Sequence, residues 1–257
     1  MHTKEPHALG DRYLEIMQFR DEVLKRYRAS HNTILGGPKT RIVLPEVRAS
    51  APAPGSKSKS FGPFTVSDRP PVVALVEELI EHSQRPMRIL EIGPGRGELA
   101  ARLRRRFPER IEAYYALDRD RSFAGPWHML TDVTDVPEID LVIASEVIEH
   151  LPADEFVADM LLPLRHKLSK EGAFVITTPN PTAPGGIARD FTHCQRYPWY
   201  DLYAIFRLAF NEVEVSRAYY AYTPTRLLAL VPRIMLCLPL ELEWAETLCC
   251  VARRARA

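Results

Sequence analysis

The segment Ser145-Glu146-Val147-Ile148-Glu149-His150-Leu151 carries the densest chemistry in the chain. Glu146, Glu149 and His150 stand at i, i+3 and i+4, which places them on one face if the chain makes a helical turn there. Carboxylates and an imidazole so grouped can hold or move a proton near neutral pH. They could also only cap a helix or satisfy backbone groups. Downstream, His193 sits in a loop with Asp190 and is a second candidate base. Upstream, Glu91-Ile92-Gly93-Pro94-Gly95-Arg96-Gly97 offers a different service. Glycines at that density let the chain turn tightly and admit a ligand against the backbone without Cβ interference. Their spacing is GxGxG, not the GxGxxG of dinucleotide sites. Asp118 ends the next apolar run, about twenty residues on, where an acid can accept hydrogen bonds from both ribose hydroxyls.

Strands and helices must alternate to bring these residues to one edge. MRILEIG, EAYYALD, HMLTD, IDLVIAS and GAFVITTPN read as short apolar strands, and NEVEVSRAYYAY as an extended stretch. VVALVEELIEHS, ELAARLRRRF, DEFVADMLLPLRHKL and WYDLYAIFRLAF read as helices, the first with a start signal at Ser67 to Pro71. That alternation predicts right-handed βαβ units, hence an α/β fold with a mostly parallel twisted sheet and helices on both faces. Strand IDLVIAS would deliver Ser145 and Glu146 to its C-terminal edge, where open parallel sheets bind ligands. Before this domain, residues 11–30 have amphipathic helical spacing, and TRIVLPEV is β-like. The stretch ASAPAPGSKSKSFGPF is too rich in proline, serine and lysine to build a core. Three parts follow: an N-terminal extension at 1–48, a linker or flap at 49–66, and the main domain at 67–257.

The glycine segment resembles motif I of class I S-adenosylmethionine-dependent methyltransferases, a Rossmann-like fold. The resemblance covers residues 67 to about 216 and implies S-adenosyl-L-methionine as cofactor. It places Glu91 near the cofactor's methionine amino group, Gly93, Gly95 and Gly97 against its backbone-facing side, and Asp118 on the ribose. Asp132 and Val133 fall where the family contacts the adenine. The loop between Asp118 and HMLTD is shorter than the family's crossover helix, which would open the adenine pocket. IDLVIASEVIEHL resembles motif IV, with Ser145 at the cofactor. The E-x-x-E-H spacing is similar to two branches, the ubiquinone-biosynthesis O-methyltransferases and the small-RNA 3′-end 2′-O-methyltransferases. The resemblance makes the fourth and fifth strands neighbours, so His193 would converge with Glu146, Glu149 and His150. Two carboxylates and two imidazoles suit a divalent ion such as Mg or Mn. Without a metal, His193 or His150 would take the acceptor's proton.

Composition narrows the acceptor. Net charge is +1, so no global field selects nucleic acid or an anionic membrane. Arg102, Arg104, Arg105 and Arg106, with Arg96 and Arg110 nearby, read as a solvated helix face, or as an RNA patch if they face the site. The apolar stretch Leu227 to Leu242 is interrupted by Pro232, Arg233 and Pro239. It is too short to span a bilayer, and reads as a buried terminal element, a pocket wall or a peripheral membrane contact. Arg253 to Arg256 reads as a disordered tail. Four cysteines without metal spacing, and no secretory signal pattern, fit a cytoplasmic compartment. The expected function is methylation of an oxygen on a small, lipid or sugar acceptor. RNA 2′-O-methylation and a non-catalytic adenosylmethionine-binding module are the alternatives.

Overall fold

Short apolar runs between helix signals form the strands that the alternation predicts, and others besides. A computed structural model describes residues 14–18, 20–21, 25, 39–43, 59–61, 64–67, 69–118, 125, 127–183, 190–220, 225, 228–232, 235 and 245–256. The strands are β1 (Lys39–Val43), β2 (Lys59–Phe61), β3 (Phe64–Ser67), β4 (Met87–Ile92), β5 (Ile111–Leu117), β6 (His128–Leu130), β7 (Ile139–Ser145), β8 (Leu168–Pro179), β9 (Phe210–Tyr220) and β10 (Thr247–Ala255). They form one sheet in the order β2-β3-β1-β9-β10-β8-β7-β4-β5-β6.

From β6 to β9 this is a seven-stranded sheet in which only β10 runs against its neighbours. The order reverses between β4 and β7, and ligands bind at such a switch point. Register aligns the strand ends there: Ile92 pairs with Leu117 and with Ala144, Leu117 with Leu130, and Ser145 with Thr177. The glycine loop and the acidic segment therefore leave the sheet side by side.

Helix α1 (Pro71–His82) starts with Pro70 as N-cap, which makes no side-chain capping bond; Asp68 of the expected start signal lies outside the described residues. It and α2 (Glu98–Arg106) cover one face, packing Val76, Ile80 and Leu103 onto Ile89, Ile143 and Val175. The other face is covered by a π-helical segment, Glu155–Leu161, running into α3 (Leu162–Arg165), and by α4 (Trp199–Ala209). There Phe156, Phe206 and Phe174 pack with Leu90 and Val142. β7 is buried on both faces, which is why its sequence is continuously apolar instead of alternating.

Several expectations change at the periphery. Arg253 to Ala255 belong to β10, paired with β8 and β9, and are not a disordered tail. The extended stretch after α4 is an interior strand. The segment 49–66 contains β2 and β3, which pair with each other and join β1 in the sheet, while 49–58 lies outside the described residues. Of the apolar stretch at 227–242, Leu230 is buried but Leu228, Val231 and Met235 are exposed, so it is not simply a buried element. Residues 14–18 are helical, and Arg20 pairs with Asp201 of α4 at 2.7 Å. Among the described residues, no helix is long and apolar enough to cross a membrane.

Candidate active site

A cleft of about 750 Å³ opens where β4, β5, β6 and β7 end. Gly93, Gly95, Leu117, Asp118, Asp132, Val133, Glu146 and His150 all line it. The glycine loop supplies the floor. Gly93, Gly95 and Gly97 adopt φ of 64°, 50° and 72°, a left-handed conformation that disfavours any Cβ. A Cβ on Gly93 would stand 2.6 Å from Val147 Cγ2, whereas a Cβ at Gly95 meets no atom within 4 Å. Gly97 is closed over by Trp127, whose ring would collide with a Cβ there. The Gly93 N–H donates to Leu117 O at 2.9 Å, tying the loop to the strand that ends in Asp118.

Asp118 stands at the tip of β5 in the cleft, as its position predicts. Asp132 also lines the cleft, but Oδ1 accepts from Thr134 N at 2.8 Å and Thr134 Oγ1 at 2.7 Å, so it caps the short turn Val133–Asp135. These bonds hold its carboxyl below the usual range. Glu91 is placed differently. It is 5% exposed, is absent from the cleft lining, and accepts a 2.6 Å hydrogen bond from Tyr114 Oη. Burial pushes its carboxyl up to about 7, although the tyrosine bond acts in the other direction. Ser145 shares a 2.9 Å hydrogen bond with Thr177 on β8 and is likewise not a lining residue.

The acidic segment does not form the helical turn that its spacing suggests. Glu146 takes φ of 53°, rare for a residue with a Cβ, and its N–H is fixed by Thr177 O at 2.9 Å. Only Ile148–His150 makes a short 3-10 turn. Glu146 and His150 thus both line the cleft, while Glu149 does not. The cleft atoms around Glu146 and the like charge of Glu149 push the Glu146 carboxyl up, although its side chain keeps access to solvent.

Glu149 is buried, accepts from Thr178 Oγ1 at 3.0 Å, and has its carboxyl pushed up to about 7 by burial. Its carbonyl accepts from Cys194 N at 2.9 Å and Gln195 N at 3.0 Å. Those two bonds stitch the loop after β8 onto the turn after β7 and bring His193 to His150, ring centroids 4.8 Å apart in an edge-to-face contact. Glu149, His150 and His193 each present a ligand atom within 4.8 Å of the others. Glu146 is not of that group, so the expected four-residue set becomes three. Glu149 Oε1 and His193 Nδ1 are buried without a hydrogen-bond partner, as is Tyr197 Oη, whose hydroxyl burial pushes up.

Sequence reasoning missed the threonines. Thr177 and Thr178 orient the two glutamates, and Thr192 Oγ1 lies 2.9 Å from His150 Nδ1. Asp190-Phe191-Thr192 has the Asx-turn spacing, the one local signal that could have drawn attention to it. Two of the four arginines of α2 are engaged in ion pairs. Arg102 pairs with buried Glu77 at 3.0 Å, and Arg106 with Glu77 at 3.3 Å and Glu81 at 2.9 Å.

A glycine cradle at a switch point, with an acid at the next strand tip, defines a Rossmann-like class I S-adenosylmethionine-dependent methyltransferase. Residues 68–210, more than half the chain, match the family described as a methyltransferase domain, and the chain belongs to that family. No curated protein matches the sequence. Among solved structures it is similar to an S-adenosylmethionine-dependent methyltransferase from Archaeoglobus fulgidus, with 20% identity, TM-score 0.54, and coverage of 72% of this chain and 93% of that one. It is also similar to the complex between the Haloferax volcanii Trm112 methyltransferase activator and a methyltransferase, with 14% identity, TM-score 0.51, and coverage of 70% and 89%. A Burkholderia thailandensis 1,6-didemethyltoxoflavin-N1-methyltransferase with bound S-adenosylhomocysteine is 15% identical with TM-score 0.49, covering 100% of this chain and 93% of its own. At these identities the likeness is one of fold. S-adenosylmethionine is the cofactor, and the residues fit it: the open face of Gly95 leaves the cradle clear, and Asp118 and Val133 line the same cleft.

Proposed function

We propose that this methyltransferase acts on an oxygen of a small acceptor, a lipid or sugar hydroxyl among them, with His150 as proton acceptor. The observation that carries this reading is that His150 lines the same cleft as Gly93, Gly95 and Asp118. Bound S-adenosylmethionine supplies an activated methyl on a sulfonium. The chain must hold a hydroxyl in line with that methyl and relieve it of its proton, since a neutral hydroxyl is a weak nucleophile. Gly93 to Gly97 and Asp118 hold the cofactor, Val133 borders the adenine side, and Glu146 faces the acceptor. His150 would take the acceptor's proton as the hydroxyl receives the methyl. The E-x-x-E-H spacing agrees with the ubiquinone-type O-methyltransferase branch. An RNA acceptor would have to rest on arginines other than Arg102 and Arg106, which are paired to Glu77. Among the described residues Cys194, Cys249 and Cys250 are free thiols, in keeping with a reducing cytoplasm.

A second reading is favoured by the orphaned Glu149 Oε1 and His193 Nδ1. With His150 they would hold a divalent ion, which would lower the pKa of an acceptor hydroxyl. One experiment tests both. Hydroxyl, amine and RNA acceptors are offered with isotopically labelled cofactor, before and after exhaustive chelation. Label on a hydroxyl with chelation harmless supports the metal-free base; loss restored by Mg or Mn supports the ion. Label only on amines would overturn the oxygen assignment, and label only on RNA would overturn the small acceptor.

A further inference from the structure

Among the described residues the same local device occurs three times. An Asp or Asn side chain accepts from the N–H and hydroxyl of the threonine two positions on, at Asp132–Thr134, Asn180–Thr182 and Asp190–Thr192. Only in the third does the threonine oxygen also meet a cleft residue, His150 Nδ1 at 2.9 Å. A hydroxyl has one hydrogen. Thr192 gives that hydrogen to Asp190 Oδ1 at 2.7 Å, and Oδ1 also takes the Thr192 N–H at 2.8 Å. Asp190 Oδ1 is thus the acceptor of both Thr192 bonds. Were Thr192 to donate to His150 instead, two acceptor oxygens would face each other at 2.7 Å with no hydrogen between them.

We infer that Asp190 and Thr192 form a positioning relay that fixes His150 as its Nδ1–H tautomer, leaving Nε2 bare for the acceptor's proton. The Nδ1–H donates to Thr192 Oγ1, Thr192 Oγ1–H donates to Asp190 Oδ1, and the ring is fixed in both tautomer and orientation. His193 supports it from the side, its ring edge-to-face with that of His150 at 4.8 Å. The loop bonds from Cys194 and Gln195 to Glu149 O hold the relay in register with the turn carrying His150. This deepens the reading above, in which His150 takes the proton, and specifies how the loop after β8 serves that residue. Thr192 acts through His150 and touches no reacting atom.

The tautomer can be read without any methyl transfer. Protein labelled with ¹⁵N-histidine should show His150, identified by the signal lost in H150Q, with a protonated Nδ1 and a bare Nε2. Thr192→Val keeps the side chain's shape and removes the acceptor oxygen. Its His150 should move toward the Nε2–H form, and kcat should fall about 10–100-fold, the scale of losing a histidine's orienting partner. The KM for cofactor should stay unchanged, and Thr192→Ser should restore both spectrum and rate. A wild-type His150 carrying hydrogen on Nε2, or a T192V spectrum identical to wild type, overturns the relay. If the tautomer follows Thr192 but H150Q still methylates at full rate, the relay stands and the assignment of His150 as base falls.

Discussion

At the β4–β5–β6 end of the ligand edge the working surface is largely backbone: the left-handed glycines Gly93 and Gly95, one strand-tip acid, and a short capped turn at Asp132. At the β7–β8 end it is made of side chains, with Glu146, Glu149, His150, Thr192 and His193 held by bonds between two loops. The first end is a rigid cradle in which each part follows from its neighbours in sequence. The second depends on two segments more than forty residues apart meeting in one register, as Thr192 and His150 do. Binding needs the first. The chemistry proposed here needs the second, where burial has raised the Glu149 carboxyl and left polar atoms unpartnered.

That division should show in variants. The largest effect belongs to the β7–β8 end: H150Q should lower kcat by about 10²–10⁴, the usual worth of a positioned base. Its affinity for S-adenosylhomocysteine, measured by calorimetry, should match wild type. A full rate would break the comparison by moving the chemistry elsewhere.

Next comes Glu91, the one buried acid at the cradle end. Its carboxyl, pushed up to about 7 from the ordinary 4.5, binds the proton more tightly in the folded state than in the unfolded one. The stability this confers is fully present below about pH 4.5 and is lost as pH rises through about 7. Glu91→Gln should remove that slope and gain roughly 2–3 kcal/mol at pH 8 in ligand-free chemical denaturation. Parallel wild-type and variant curves between pH 5 and 8 would show that the acid is not desolvated as its burial implies.

The smallest effect is expected at Asp118. Asp118→Ala should lose about 1–3 kcal/mol of cofactor affinity by calorimetry, with kcat at saturating cofactor nearly unchanged. A fall in kcat with affinity intact would mean that the two ends are not separable.

The fold was legible because its signals are local. MRILEIG, IDLVIAS and GAFVITTPN are apolar enough to be strands whatever surrounds them, and GxGxG after the first demands a tight turn. β10 was not legible. TLCCVARRA mixes apolar and arginine residues, and its strand character comes from lying between β8 and β9. The i, i+3, i+4 argument for Glu146 failed for a related reason. It presumes a helix, and the left-handed residue at Glu146 breaks the turn before it starts.

By itself the sequence determined which residues could bind and which could do chemistry: the glycine spacing, Asp118 at a strand tip, the E-x-x-E-H segment and a later histidine. Tertiary structure alone decided which of them meet. It turned Glu91 toward Tyr114, left Glu146 outside the Glu149–His150–His193 group, and set Thr192 against His150. Backbone conformation and periodicity depend on a few adjacent residues. Side-chain convergence depends on strand register and on loop bonds such as Cys194 N to Glu149 O, which join parts of the chain that carry no local mark of each other.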